Sequence, residues 1–164
     1  MPEFVDKIRT MVRFSRPSEP PSHGVLCLGP PGAYRTVPET ILERLNAPER
    51  VFPIESTEGG TVVLVNRLDL EWVAPRPGTE PVLIGPANFL VTHQEPVCIR
   101  FRHGESLEGV LQMELPEGIN RVSDFLNSMD DFFPLVTADG VFLVNKLHVR
   151  EVQLFRASPR PRAA

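Results

Sequence analysis

One stretch of twelve residues in this chain returns as a near-copy. Val62–Val73 reads Val-Val-Leu-Val-Asn-Arg-Leu-Asp-Leu-Glu-Trp-Val, and Val141–Val152 reads Val-Phe-Leu-Val-Asn-Lys-Leu-His-Val-Arg-Glu-Val. Between Val62–Leu68 and Val141–Leu147, five of seven positions are identical and a sixth is Arg against Lys, at an offset of 141 − 62 = 79. Such self-similarity is the mark of a duplicated supersecondary unit, and it constrains every other assignment. The rest of the chain aligns around it. Met11–Phe14 matches Cys98–Phe101, Gly24–Leu26 matches Gly109–Leu111, Leu45-Asn46 matches Leu126-Asn127, and Val51–Ile54 matches Phe132–Leu135. The offset falls along the series from 98 − 11 = 87 through 109 − 24 = 85 and 126 − 45 = 81 to 79, so the two copies differ in loop lengths and share one order of elements.

Within each copy the apolar spacing gives strands and one helix. Val97, Ile99 and Phe101 alternate with Cys98, Arg100 and Arg102, the period of a strand with one buried face. His103–Ser106 then supplies a hairpin turn around Gly104, and Leu107–Leu115 alternates again. In the first copy Thr36-Val37-Pro38-Glu39 has the form of a capping box, followed by Val37, Ile41 and Leu45 at helical spacing. In the second, Ile119, Val122 and Leu126 form the stripe. Asn46 and Asn127 read as helix-ending caps. Phe52-Pro53 and Phe133-Pro134 place a proline in an edge strand or strand end. Asn66-Arg67 and Asn145-Lys146 read as tight turns between the last two strands.

Each unit is thus strand–strand–helix–strand–strand–strand. The expected fold is mainly β with two short helices: two tandem small antiparallel β-barrel-like repeats packed as a pseudo-dimer. The expected divisions are a first repeat over 1–73, a Pro/Gly-rich, partly apolar connector over 74–95, a second repeat over 96–155, and a disordered basic tail over 156–164. Val82–Ile84 and Phe89–Val91 make the connector too apolar for a free tether, so it is expected to pack on the repeats.

Composition excludes several classes. The formal net charge is −4, which argues against a general nucleic-acid binder. No apolar run approaches the ~20 residues of a membrane span, and the N-terminal Met1–Lys7 lacks the apolar core of a secretory signal. A cytoplasmic location without membrane association is expected. The two cysteines, Cys27 and Cys98, match no metal or redox spacing, and the four histidines are unpaired at helical spacings. Nucleophile-elbow and phosphate-loop motifs are absent, and the prolines of Gly29-Pro30-Pro31-Gly32 remove amide donors that a phosphate cradle needs. No catalytic, cofactor-binding or metal residues are assigned.

The pattern resembles the Sm-like small β-barrels. Val97–Gly104 followed by Leu107–Leu111 looks like that family's opening hairpin, and Val141–Leu147 like its fourth strand and the turn after it. Leu-Asn, Phe-x-Pro-Leu and Val-Asn-Lys also resemble a pattern of small bacterial domains. The helix departs from the Sm-like order, lying between the second and third strands. The resemblance implies RNA contacts at Asn66, Arg67, Asn145 and Lys146, to which Arg100 and Arg102 add basic side chains against phosphates.

The favoured expectation is a non-catalytic protein-interaction or regulatory adaptor with an unidentified protein partner, and the Sm-like RNA binder is the alternative. Trp72 stands where its twin has Glu151, which suggests either partial exposure and a place at an interface or packing under the connector, against Val82–Ile84 or Phe89–Val91. Phe132-Phe133 puts aromatic rings on both faces of one strand, so one ring must leave its own repeat and meet the other copy. Trp72, Phe132 and Phe89 are the expected partner-binding residues.

Overall fold

The computed structural model describes residues 7–32, 35–85, 91, 93–114 and 122–155. The elements are β1 (Ile8–Ser15), β2 (Ser22–Leu28), α1 (Ile41–Asn46), β3 (Val51–Ser56), β4 (Val62–Asn66), β5 (Trp72–Pro75), α2 (Pro81–Ile84), β6 (His93–Phe101), β7 (Ser106–Met113), α3 (Val122–Ser128), β8 (Phe132–Thr137), β9 (Gly140–Asn145) and β10 (Val149–Leu154). Single 3₁₀ turns, Arg67–Asp69 and Lys146–His148, join β4 to β5 and β9 to β10. The fold is mainly β, with three short helices rather than two; α2 is the addition, and it lies in the connector.

All strand pairs are antiparallel and form one sheet in the order β10-β6-β7-β8-β9-β5-β1-β2-β3-β4. Each half has the same internal order, so the duplication is preserved in the topology. The halves do not form two separate closed sheets. They are continuous through β9 and β5, where Trp72 pairs with Val144 and Val73 with Leu143. An edge strand leaves a row of main-chain groups unpaired, and here one half covers that row on the other.

This seam also exchanges side chains between the two cores. Consecutive residues on a strand point to opposite faces. Val73 and Leu143 therefore enter a first cluster with Val12, Phe14, Leu26, Ile41, Phe52 and Phe132. Trp72 and Val144 enter a second with Ala74, Val97, Ile99, Leu111, Phe133 and Phe142. Phe132 is a second-half residue in the first-half core, and Trp72 is the reverse. The adjacent aromatics do divide between two cores, and Phe132 is the one that crosses.

The helix of the first half begins later than the Thr36–Glu39 pattern predicts. Thr40 is its N-cap, one turn on: its Oγ1 accepts from the Glu43 N–H at 3.1 Å and donates to the Glu43 carboxylate at 3.4 Å. Glu39 is held elsewhere. Its main-chain N–H donates to the Gly29 carbonyl, and its carboxylate takes bonds from the Gly29 N–H and from Arg44. Ile41 and Leu45 are buried as the spacing predicts, whereas Val37 is exposed.

Asn46 does not adopt the left-handed cap conformation; Ser18 is the described non-glycine residue with positive φ. Its side chain instead reaches the other half, accepting from the Phe132 N–H at 2.9 Å and donating to the Phe132 carbonyl at 3.1 Å. Ala74 and Pro75 belong to β5, β6 begins at His93, and Leu83 and Ile84 pack on the first cluster. Phe89 and the 156–164 tail lie outside the described residues.

Two glycines show why each unit bends. A Cβ on Gly24 would stand 2.2 Å from Ile54 Cγ2, and one on Gly109 would stand 2.6 Å from the Val136 carbonyl oxygen and 2.8 Å from Leu135 Cγ. Ile54 and Leu135 are themselves repeat counterparts, so the second strand of each unit crosses the third at the same bare point. Gly109→Ala should destabilise the protein by about 1–3 kcal/mol, the usual range for overpacking against atoms that cannot yield. Urea denaturation of the purified variant measures this; an unchanged midpoint would show that the crossing has room.

Candidate functional site

Two regions bear on function: the seam with its flanking cleft, and the free edge at β4. The seam is built from the residues that the sequence marks as candidate contacts. Trp72 is 5% exposed and Phe132 is fully buried. The partial exposure expected for Trp72 is therefore not found. Its ring meets Phe142 edge-on at 4.8 Å between centroids, and the Arg13 guanidinium lies 5.2 Å from its centre. The Glu-for-Trp exchange between copies reports that β5 is an inner strand and β10 an outer one.

The Asn-basic pairs have structural partners. The Asn145 side chain is buried; its Oδ1 accepts from the Leu147 N–H, and its Nδ2 donates across the seam to the Leu70 carbonyl at 2.9 Å and the Arg67 carbonyl at 3.3 Å. Asn66 closes its own turn in the same way, through Leu68. Each basic residue then ties the turn to its unit's helix: Arg67 donates to the Leu45 and Ala47 carbonyls, and Lys146 to the Leu126 and Met129 carbonyls. Unfilled carbonyls at a helix end are natural acceptors for such donors. Arg102 donates through Nε to the Leu147 carbonyl at 2.8 Å, and Arg100 pairs with Glu151 at 3.4 Å on the surface. Asn145 is buried within the seam, and Arg67 and Lys146 are each turned to the helix end of their own half.

A cleft of about 290 Å³ opens beside the seam, lined by Arg16, Glu19, Glu71, His103 and Glu105. Glu71 is only 2% exposed, and its Oε2 has no hydrogen-bond partner. Its main chain is fixed on both sides, by the Ser15 carbonyl and the Asn145 N–H. Burial pushes its carboxyl above the usual glutamate range; Glu105 adds to this, and His148 and His103 oppose it. The cleft can hold a proton at Glu71, but no hydrogen bond or ion pair joins Glu71 to either histidine among the described residues. Nor do the described residues place three His, Cys, Asp or Glu side chains to hold a metal ion. No described helix is long and apolar enough to cross a membrane. Sequence reasoning passed over Glu71; the available signal was a lone carboxylate inside the apolar run Leu70–Ala74.

The edge is different in kind. β4 pairs with β3 on one side and ends the sheet on the other. Val62, Val63 and Leu64 are 59%, 40% and 68% exposed. Their counterparts Val141, Phe142 and Leu143 are half-buried or buried, because β9 is covered by β5. The repeat alone could not tell which copy would be covered.

No family model, curated protein or solved structure matches this chain.

Two measurements check the seam. Trp72→Ala should cost about 3–5 kcal/mol, the range for removing a buried large aromatic; a melting temperature equal to wild type would place Trp72 outside the core. Glu71 holds its proton to higher pH when folded than when unfolded. The folded state thus binds more protons across that window, and stability falls as pH rises from the ordinary glutamate value of about 4.3 through the raised one. Glu71→Gln should therefore gain on wild type in melting temperature as pH is raised through that window. A constant difference between the two would show that the carboxyl is not perturbed.

Proposed function

We propose that the chain is a non-catalytic protein-interaction adaptor, two barrel-like copies of one small β unit fused as a pseudo-dimer, which takes its partner at the free edge of β4. The observation that carries this reading is the run Val62-Val63-Leu64, exposed on an outer strand whose second edge has no partner among the described residues. Natural proteins protect such edges with charges, prolines or bulges. Val62–Asn66 has none of these in its sequence, and its pairing with β3 is regular. An edge left open in this way is suited to strand addition, where main-chain hydrogen bonds supply affinity and the alternating side chains supply selectivity.

A nucleic-acid role draws less support. Asn145, Lys146 and Arg67 each donate to main-chain carbonyls within the fold, and the net charge is −4. The test is affinity capture of the tagged full chain from a lysate, with and without nuclease, beside Leu64→Lys. Leu64 is 68% exposed, so the variant should fold normally. A stoichiometric protein that survives nuclease and is lost with Leu64→Lys is the expected result. Recovered RNA, or a partner indifferent to Leu64, would overturn the reading.

A further inference from the structure

The sheet completes one contact within the chain and, among the described residues, leaves both halves of the same contact open at its ends. The seam joins β9 to β5. In the repeat, β9 is the counterpart of β4 and β5 is the counterpart of β10, and these are the two outermost strands. We propose that β4 of one copy of this chain pairs antiparallel with β10 of a second copy, head to tail, in the register of the internal seam. The inference rests on reading β4 as an interaction edge, and it names the occupant.

The seam predicts the register. Trp72 pairs with Val144 and Val73 with Leu143. Moving each residue to its counterpart by the offset of 79 gives 72 + 79 = 151 against 144 − 79 = 65, and 73 + 79 = 152 against 143 − 79 = 64. Glu151 thus meets Val65, and Val152 meets Leu64. Leu64, the most exposed apolar side chain of β4 at 68%, takes the place held by the fully buried Leu143 in the seam. On the other edge Leu154 and Phe155 are 47% and 44% exposed.

Two asparagine pairs mark the same open halves. Asn145 Nδ2 clamps the seam by donating to the Leu70 carbonyl. Its counterpart Asn66 has the same Oδ1 contact to its own turn, is exposed, and its side chain makes no further hydrogen bond among the described residues. By the same offset its target is the Val149 carbonyl of a second copy. Asn46 holds the Phe132 main chain across the seam. Its counterpart Asn127 is exposed and its side chain makes no hydrogen bond among the described residues, and the corresponding target, Val51, is 51% exposed.

The open contact is a weaker version of the seam. Glu151 replaces the inserted Trp72, and Asp69 replaces His148, whose Nε2 meets the Leu68 carbonyl. A reversible, concentration-dependent assembly follows. Because the two surfaces differ, the contact is heterologous and either closes into a ring or extends.

Cross-linking tests the polarity. Leu64→Cys and Val152→Cys are made separately in chains carrying Cys27→Ser and Cys98→Ala, then mixed under oxidation. Directly opposed residues on antiparallel strands lie near disulfide range, so the mixture should give a cross-linked dimer and each variant alone should not. A dimer from Leu64→Cys alone would overturn head-to-tail pairing in favour of two β4 edges meeting. Sedimentation of the unaltered chain should show mass rising with concentration, and Leu64→Lys should stay monomeric. A monomer at every concentration would overturn the inference even if Leu64→Lys still lost a captured partner, a result that leaves the adaptor reading standing.

Discussion

The pairing of β5 with β9 is the interaction on which the rest of the molecule depends. Two residue pairs, Trp72 with Val144 and Val73 with Leu143, carry it. Because successive strand residues face opposite ways, this short ladder places one pair in each core. Each half then lacks a complete core without the other: the first needs Phe132 and Leu143, and the second needs Trp72 and Ala74. The main-chain bond from the Asn145 N–H to the Glu71 carbonyl, the Asn145 side chain and the Asn46 clamp on Phe132 fix the seam at three further points. A buried polar group is tolerated when its partners are supplied, and Asn145 has them on both sides of the seam.

Glu71 departs from this pattern. It sits one residue from the Trp72 insertion, with an unpaired buried oxygen and a carboxyl raised by desolvation. The strand needs its main chain, which bridges Ser15 and Asn145, and does not need its side chain. The residue therefore weakens the place where the halves meet, and links the strength of the seam to pH.

The order of the elements was legible in the sequence because duplication tests each assignment twice. The alternation in Val97–Phe101, the turn at Gly104 and the crossing of one Phe132-Phe133 ring into the other half all follow from local pattern. What the pattern could not supply was how the copies meet. Two closed repeats and one continuous sheet bury the same alternating faces, and they differ only in whether an outer strand finds a partner. Trp72 illustrates the difficulty. Its Glu151 twin pointed to exposure, yet the two positions differ because one strand is inside the sheet and the other outside. The asparagines illustrate it again. Asn46 and Asn145 look like ordinary caps and turns, and their contacts lie 86 and 75 residues away, beyond any local rule. The open edge at β4 was hidden for the same reason, since its sequence is almost that of the covered β9.

If the shared seam makes the two halves one cooperative unit, Trp72 is placed to report it, being the single tryptophan of the chain and buried at the junction. The decisive measurement is urea unfolding followed in parallel by Trp72 fluorescence and by far-ultraviolet circular dichroism. Coincident transitions are predicted, because neither half keeps its core once the seam opens. A fluorescence change completed at lower urea, with the β signal intact, would show two halves that stand alone and would contradict the account.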